Sequence, residues 1–348
     1  MVRILLATGR LDLQELVENA IGADGAAMLV GVARSNAEVV RLARELSPDI
    51  VTMELRLGGQ DSDAAVREIM TSAPAPILLV SRENSAALGA VSARALEAGA
   101  LAVIPAPPAF EARPERAAAE KFLATIRAMA QVKVVRQWPR KGAAARSDAG
   151  NGDGDLPVGV VGIAASTGGP AAIRSILMRL PAAFPAPILI VQHMSNGFID
   201  GVAASLDANV PLRVKIAADR ERLRPGTAYL APDGFQLGVS SRSRIRVSED
   251  APVDGFKPSG SYLFASIARA FRARSLAVVL TGMGSDGTEG LRALRRAGGR
   301  VIAQDETSSV VFGMPKSAIG AGVVDLILPL EAIGEKIMAL AQGEADGS

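Results

Sequence analysis

Short apolar runs alternate with longer amphipathic segments over the first 130 residues of the chain. Each run has the length of a buried β-strand, and the segments between them have the apolar period of helices that pack on a sheet. The predicted strands are 3–7, 27–32, 50–53, 77–80 and 102–104, and the predicted helices are 37–46, 62–70, 86–98 and 113–130. Five βα units of this length predict a doubly wound parallel sheet.

The alternation stops between residues 131 and 157. This stretch first carries five basic residues and then the Gly/Asp-rich run 148–155, without any helical or strand period. Such a composition is typical of a flexible linker, and a basic docking segment is the alternative. We therefore expect a domain at 1–130, a linker at 131–157 and a second domain at 158–348.

The second domain repeats the α/β pattern. Its predicted strands lie near 158–164, 187–192, 214–217, 276–281, 300–304 and 324–328, with polar, proline-bearing segments between 205 and 261. The pattern predicts a second doubly wound parallel α/β sheet.

Composition narrows the chemistry that this chain can perform. It has no cysteine and one histidine, which excludes disulfides, thiolate nucleophiles, zinc–thiolate sites and polyhistidine metal centres, so we expect no metal and no cofactor. The net charge of +2 and the 3% of aromatic residues argue against a nucleic-acid partner. Without a signal peptide or an apolar run of membrane-spanning length, the chain is expected to be cytoplasmic and not inserted in a membrane.

Three chemically useful side chains follow predicted strands of the second domain. Ser166 follows the first strand, His193 the second, and Asp286 follows the strand near 276–281. In a parallel sheet the carboxyl ends of the strands gather where ligands bind. A nucleophile, a base and an orienting carboxylate at three such ends predict acyl-transfer chemistry.

Each of these residues also has a simpler interpretation. Ser166 could cap the helix predicted at 170–180 or belong to a phosphate loop, His193 could be structural, and Asp286 could cap a helix around 289–296. Ala164 replaces the first glycine of the Gly-x-Ser-x-Gly elbow, and the order Ser, His, Asp differs from that of α/β-hydrolases.

The segment 282–287 supports a competing interpretation. It matches Gly-x-Gly-x-x-Gly between a strand and a helix, and Asp305 ends the next strand, where a ribose-binding acid would lie. A dinucleotide-binding module is therefore an alternative, although Asp286 would place a negative charge beside the pyrophosphate.

Four segments of the second domain closely resemble the chemotaxis protein-glutamate methylesterases. They are 165–170, 192–194, 280–287 and 302–315. Members of this family are two-domain response regulators with a flavodoxin-like receiver, a linker and a C-terminal esterase. The resemblance implies Ser166 as nucleophile, His193 as general base and Asp286 as its orienter. It also implies that Thr167 and the backbone of Met283 hold the oxyanion.

The same resemblance implies the substrate and the partners. Family members release methanol from methylated glutamates on the cytoplasmic bundles of methyl-accepting chemoreceptors, and some deamidate receptor glutamines. A chemotaxis histidine kinase or other proteins of the receptor array are further candidate partners. A non-catalytic signalling scaffold that keeps the esterase fold is the alternative.

Two segments of the esterase half depart from the family pattern. The stretch 231–236 resembles Ala-Pro-Gly-Gly-x-His but ends in Gln236, and 257–261 resembles Arg-Pro-Ser-Val-Asp but ends in Gly260 and Ser261. These changes affect the surroundings of the predicted triad and not the triad itself.

A larger departure lies in the receiver-like domain. A receiver needs carboxylates after its first strand for Mg²⁺, an aspartate after its third and a lysine after its fifth. Here Thr8 and Gly9 follow the first strand, Glu54 takes the acceptor position and Ala106 the lysine position, and only Ser81 matches the switch hydroxyl.

We therefore predict a pseudo-receiver with no Mg²⁺ site and no phosphoryl switch. The alternative is a βα domain unrelated to receivers. Two roles of this domain are open. In one, the fixed charge of Glu54 biases the domain towards an activated arrangement; in the other, the domain only binds partners.

Overall fold

The computed structural model describes residues 1–81, 86–106, 116–130 and 157–343. The chain divides into two compact units, Met1–Arg140 and Lys141–Ser348. The predicted linker lies outside the described residues except for Pro157, so the proposed domain boundaries stay a prediction. In the described ranges no helix combines the length and the apolar character needed to cross a membrane.

A five-stranded parallel sheet forms the centre of the first unit. The strands of this unit are β1 (Val2–Ala7), β2 (Ala27–Ala33), β3 (Ile50–Glu54), β4 (Arg56–Leu57), β5 (Gln60–Asp61), β6 (Ile77–Ser81) and β7 (Ala102–Pro105). The sheet order is β2-β1-β3-β6-β7, while β4 and β5 form a short antiparallel ribbon. This is the flavodoxin-like order, so the predicted fold class of the first unit is confirmed.

The helices of the first unit are α1 (Leu11–Asp24), α2 (Asn36–Leu46), α3 (Asp63–Ser72), α4 (Ala86–Glu97) and α5 (Arg116–Ala130). The four predicted helices are present, and the start predicted for the last one, residue 113, lies outside the described residues. Helix α2 carries a clear start signal, because the Ser35 side chain accepts the N–H of Glu38. Helix α1 was not predicted, and Arg10 precedes it without any side-chain cap.

The second unit contains a seven-stranded parallel sheet. The strands of this unit are β8 (Val160–Ala165), β9 (Ile188–Gln192), β10 (Arg213–Ile216), β11 (Thr227–Leu230), β12 (Gln236–Ser241), β13 (Arg244–Ser248), β14 (Ser275–Val279), β15 (Arg300–Gln304) and β16 (Leu326–Leu328). The sheet order is β10-β11-β9-β8-β14-β15-β16, and β12 pairs with β13 as an antiparallel hairpin. The predicted doubly wound α/β architecture is confirmed.

The stretch 205–261, with its polar, proline-bearing segments, contains strands that the sequence did not predict. Besides the predicted β10, this stretch contains β11, which lies inside the main sheet between β9 and β10, and the hairpin β12–β13. Strand β11 is fully buried but only four residues long. A run that short, enclosed by Pro225–Gly226 and Ala231–Pro232, carries too little periodicity to predict a strand.

Helices cover the second sheet, and the order of its strands determines where the site lies. They are α6 (Gly169–Leu177), α7 (Ile199–Asn209), α8 (Gly260–Phe271), α9 (Thr288–Arg296), α10 (Met314–Gly320) and α11 (Leu330–Gln342), with a 3₁₀ turn at Arg272–Arg274. The chain begins the sheet at β8, extends it through β9 on one side, and returns through β14 on the other. The loops after β8 and β14 therefore border a topological switch point, where open α/β sheets bind their ligands.

Candidate active site

Ser166 stands in a tight turn between β8 and α6. Its N–H donates to the carbonyl of Thr281 at 3.0 Å, and its own carbonyl accepts the N–H of Gly169 at 2.8 Å. The cap of α6 is Gly168, with φ +77°, and a Cβ there would lie 2.7 Å from Val310. The helix-cap interpretation of Ser166 is therefore not supported, and among the described residues its hydroxyl has no hydrogen-bond partner.

His193 lies beside Ser166 because β9 and β8 are neighbours. The N–H of His193 donates to the carbonyl of Ala165 at 2.9 Å. The buried Gln192 strengthens this link, because its Nε2 donates to the carbonyls of both Ser166 and His193 at 2.8 Å. The nucleophile and base candidates are thus tied together through their backbones.

Asp286 completes the cluster from the loop after β14. Its Oδ2 lies 2.9 Å from Nε2 of His193, and its side chain is fully buried. The two atoms are in close contact but do not form an aligned hydrogen bond. Within the described residues, Nδ1 of His193 is buried and has no hydrogen-bond partner.

The environment of Asp286 keeps it ionised. Burial alone would raise its pKa, but the contact with His193 and the hydrogen bonds from Ser259 and Gly260 outweigh burial and lower the pKa below its ordinary value. Ser259 Oγ donates to Oδ1 at 2.7 Å and the Gly260 N–H donates to Oδ2 at 2.6 Å. The carboxylate therefore lies at the start of α8, and Gly287, not Asp286, caps α9.

Two backbone segments, at Thr167 and before Met283, lie next to Ser166. Thr167 is buried, and its carbonyl is held by Thr281 Oγ1 at 2.9 Å. A Cβ on Gly282 would lie 2.7 Å from Ser166 Cβ, so the loop that leads to Met283 passes in contact with Ser166. The Met283 N–H makes no hydrogen bond within the described residues, which leaves it available to a ligand.

Phe256 belongs to this site and was not found from the sequence. Its ring stacks on the imidazole of His193 with 4.6 Å between the centroids and 15° between the planes. The pair Asp254–Gly255 just before it is a signal for a two-residue hairpin turn, but nothing in the sequence places that turn beside His193.

The departure at Gln236 has a structural explanation. This side chain is fully buried, donates to the carbonyls of Ala251 and Phe256, and accepts the N–H of Ser259. It therefore fixes the loop before α8 and does not itself line the cluster of Ser166 and His193.

The residues predicted for a degenerate phosphorylation site lie at the carboxyl ends of β1, β3, β6 and β7. The Thr8 hydroxyl donates to the carboxylate of Glu54, and the Ala106 N–H donates to the carbonyl of Ser81 at 2.6 Å. Gly9 is exposed beside them. Within the described part of the chain, no group of three or more His, Asp or Glu side chains could hold a metal ion.

The competing dinucleotide interpretation fits this geometry poorly. The Asp286 carboxylate accepts the N–H of Gly287 at 2.8 Å, so a negative charge occupies the backbone donor that a pyrophosphate would need. Asp305 is engaged in its own turn, where it accepts the N–H of Ser308.

Comparisons with known proteins relate this chain to a family of methylesterases. The family model described as CheB methylesterase matches residues 161–337. The protein-glutamate methylesterase/protein-glutamine glutaminase of the group 3 operon of Rhizobium meliloti (strain 1021) is 65% identical over 99% of this chain and 98% of its own length.

Two further proteins extend this likeness. The relative called protein-glutamate methylesterase/protein-glutamine glutaminase 4 of Myxococcus xanthus (strain DK1622) is 44% identical over 98% of both chains. The crystal structure of the Thermotoga maritima CheB methylesterase catalytic domain, 39% identical, covers 53% of this chain and all of its own, with a TM-score of 0.52. This chain belongs to the CheB protein-glutamate methylesterase family.

Proposed function

We propose that this protein hydrolyses methyl esters of glutamate residues on the cytoplasmic domains of methyl-accepting chemoreceptors. The observation that carries the proposal is the convergence of Ser166, His193 and Asp286 at three strand ends. His193 is hydrogen-bonded to the residue before Ser166 and lies 2.9 Å from Asp286. The full-length similarity to proteins named for this activity supports the same substrate class.

The reaction follows from the roles of these side chains. Ser166 Oγ attacks the ester carbonyl while Nδ1 of His193 takes its proton, and the same proton then goes to the methoxide leaving group. Methanol leaves, and water activated by His193 hydrolyses the acyl-enzyme to glutamate. Asp286 holds the ring through Nε2 and stabilises the imidazolium that forms during each step.

The backbone around Thr167 and Met283 stabilises the negative charge that develops on the carbonyl oxygen of the substrate. Among the described residues the Thr167 N–H makes no hydrogen bond, and it lies just before α6, whose N-terminus favours an anion. The free N–H of Met283 approaches from the other loop.

The same machinery accepts a glutamine side chain. Attack on an amide carbonyl forms the same acyl-enzyme, and His193 delivers the serine proton to the departing amide nitrogen, which leaves as ammonia. Deamidation of receptor glutamines is thus a second reaction of the same site.

The first unit acts in this proposal as a pseudo-receiver. Thr8, Gly9 and Ala106 supply neither the Mg²⁺ carboxylates nor the lysine, and Glu54 is already hydrogen-bonded by Thr8. The esterase therefore works without phosphorylation, and the first unit serves to bind a chemotaxis kinase or another array protein.

The test is methanol release from methylated receptor cytoplasmic fragments, with full-length protein and no phosphodonor. Release that disappears in Ser166→Ala, whose fold is checked by circular dichroism, is the expected result. If the folded wild-type protein releases no methanol, the scaffold interpretation replaces the enzyme. In cells, a scaffold would keep its effect in Ser166→Ala and an enzyme would lose it.

A further inference from the structure

The general base is contacted on two sides that lie at right angles to each other. Asp286 meets the edge of the His193 ring at Nε2, and Phe256 covers its face at a centroid distance of 4.6 Å. An edge contact alone leaves an imidazole free to tilt about the line to its partner. The stacked ring removes that freedom, so the direction of Nδ1 depends on both neighbours.

A tight hairpin holds Phe256 in this place. Val253 and Phe256 exchange two backbone hydrogen bonds of 3.0 and 2.9 Å, and the residues between them, Asp254 and Gly255, have φ values of +50° and +84°. Positive φ at both central residues is the signature of the type I′ turn, which fits the twist of paired strands. The ring therefore stands on a defined backbone and not on a long loop.

Phe256 also borders the loop after β14 that carries Met283. A Cβ on Gly284 would lie 3.9 Å from Phe256 Cζ, in ordinary van der Waals contact. The ring thus lies in contact with the base and close to the loop that carries the free N–H of Met283, and its own side chain is half-buried.

Gln236 links the two neighbours of the base. Its Nε2 donates to the Phe256 carbonyl at 3.2 Å, and its Oε1 accepts the Ser259 N–H at 2.9 Å. Ser259 Oγ in turn donates to Asp286 at 2.7 Å. The buried amide of Gln236 therefore fixes Phe256, which covers the face of the His193 ring. It also fixes Ser259, which supports Asp286 at the edge of that ring.

We infer that Phe256 is a positioning residue for the general base, and that Gln236 is the side chain that holds it against His193. This inference deepens the proposed function and rests on it. Phe256 keeps the imidazole in the orientation in which Nδ1 takes the proton of Ser166 in the proposed reaction. Its ring face also stabilises the imidazolium, because the electron-rich face of an aromatic ring attracts a cation.

The test compares Phe256→Leu with the matched control Phe122→Leu, which makes the same change in α5 of the first unit. We expect Phe256→Leu to lower kcat about three- to thirty-fold with little change in KM, the range that loss of a cation–π contact converts to. Phe256→Tyr keeps the stack and should restore kcat, and Phe122→Leu should leave kcat unchanged.

A second readout does not depend on activity. The chain has one histidine, so its imidazole protons give one unambiguous set of NMR signals. In the wild-type protein a stacked phenyl ring shifts these signals upfield, and Phe256→Leu should remove that shift while Phe256→Tyr keeps it. Gln236→Met should weaken the shift and lower kcat in the same direction.

The outcomes separate the two proposals. Unchanged kcat together with unchanged imidazole signals in Phe256→Leu overturns the positioning role. If wild-type protein releases no methanol, the proposed function fails, and the imidazole signals alone then decide for or against the stack. If Gln236→Met does not fold, Phe256→Leu and Phe256→Tyr still decide the role of Phe256, because that side chain is partly exposed.

Discussion

The methyl group of Ala164 occupies the space that a side chain at Gly260 would need. A Cβ on Gly260 would lie 2.8 Å from Ala164 Cβ and 3.3 Å from Oδ2 of Asp286. Both residues stand at positions where the sequence departs from a familiar motif, the first glycine of the nucleophile elbow and the valine of Arg-Pro-Ser-Val-Asp. The structure connects these two departures, because a small residue on α8 makes room for a larger one on β8.

This relationship predicts compensation between the two positions. Gly260→Ala should lower the free energy of unfolding by about 1–3 kcal/mol through overpacking. It should also lower methanol release, because α8 has to move and its first N–H donates to Asp286. Adding Ala164→Gly should restore most of both losses.

The measurement is a double-mutant cycle of denaturant unfolding and of kcat. Additive losses in the double variant would mean that the two residues do not share this space. The single variant Ala164→Gly provides the control for flexibility added to β8.

The ionisation of Asp286 predicts how the free energy of unfolding depends on pH. Its folded-state pKa is lowered from the ordinary 3.8, so the carboxylate stabilises the fold above about pH 3.8, and this contribution is lost as the pH falls through the folded-state value. In Asp286→Asn the amide would face N–H donors, which should cost about 1–3 kcal/mol near neutral pH.

The stability difference between wild-type protein and Asp286→Asn should therefore shrink as the solution is acidified below pH 3.8. Urea unfolding at a series of pH values measures this difference in the free energy of unfolding. The contributions of the other carboxylates cancel, because both proteins contain them. A difference that grows on acidification would show that the pKa of Asp286 is raised in the folded protein. Activity of the variant should fall on the order of 10³–10⁴-fold, as expected when the orienter of a base is lost.

Part of this site could be predicted from the sequence and part could not. Ser166 and His193 directly follow buried strands, Asp286 lies in the loop after a third, and the edge where parallel strands end is a property of the fold class. Their convergence therefore followed from pattern alone.

The contacts that orient the triad depend on segments with little pattern. Strand β11 is four residues long, the turn before Phe256 comes from a segment between the hairpin β12–β13 and α8, and Ser259 lies 27 positions from Asp286. Contacts between residues so far apart in the sequence are determined by packing, and the hydrophobic periodicity of a short segment does not predict them. The same applies to α1, which begins without a capping side chain.

The single histidine makes the pH dependence of the reaction directly testable. Histidine is the side chain that ordinarily changes charge between roughly pH 5 and 8. Asp286 stays ionised across that range, since its pKa is lowered. The acid limb of kcat/KM should therefore coincide with the NMR titration of His193 measured on the same protein. A rate that stays flat while the imidazole becomes protonated would exclude His193 as the base.

The geometry at the carboxyl end of the first sheet predicts that phosphoryl chemistry does not control the enzyme. Magnesium prefers carboxylate oxygens and demands octahedral geometry, but Thr8 and Gly9 stand where those carboxylates belong. The Thr8 hydroxyl already donates to Glu54, and Ala106 has no charge to offer a phosphoryl group.

Beryllium fluoride with Mg²⁺ should therefore neither bind the full-length protein in calorimetry nor change its rate of methanol release. Glu54→Asp restores the usual acceptor without the metal ligands or the lysine, so it should be equally unresponsive. Thr8→Val separates the role of Glu54 as a hydrogen-bonded structural group from any signalling role. It removes the buried donor, which should destabilise the first unit by about 1–3 kcal/mol and leave the response to beryllium fluoride absent. Saturable binding by wild-type protein would instead establish a working acceptor at Glu54.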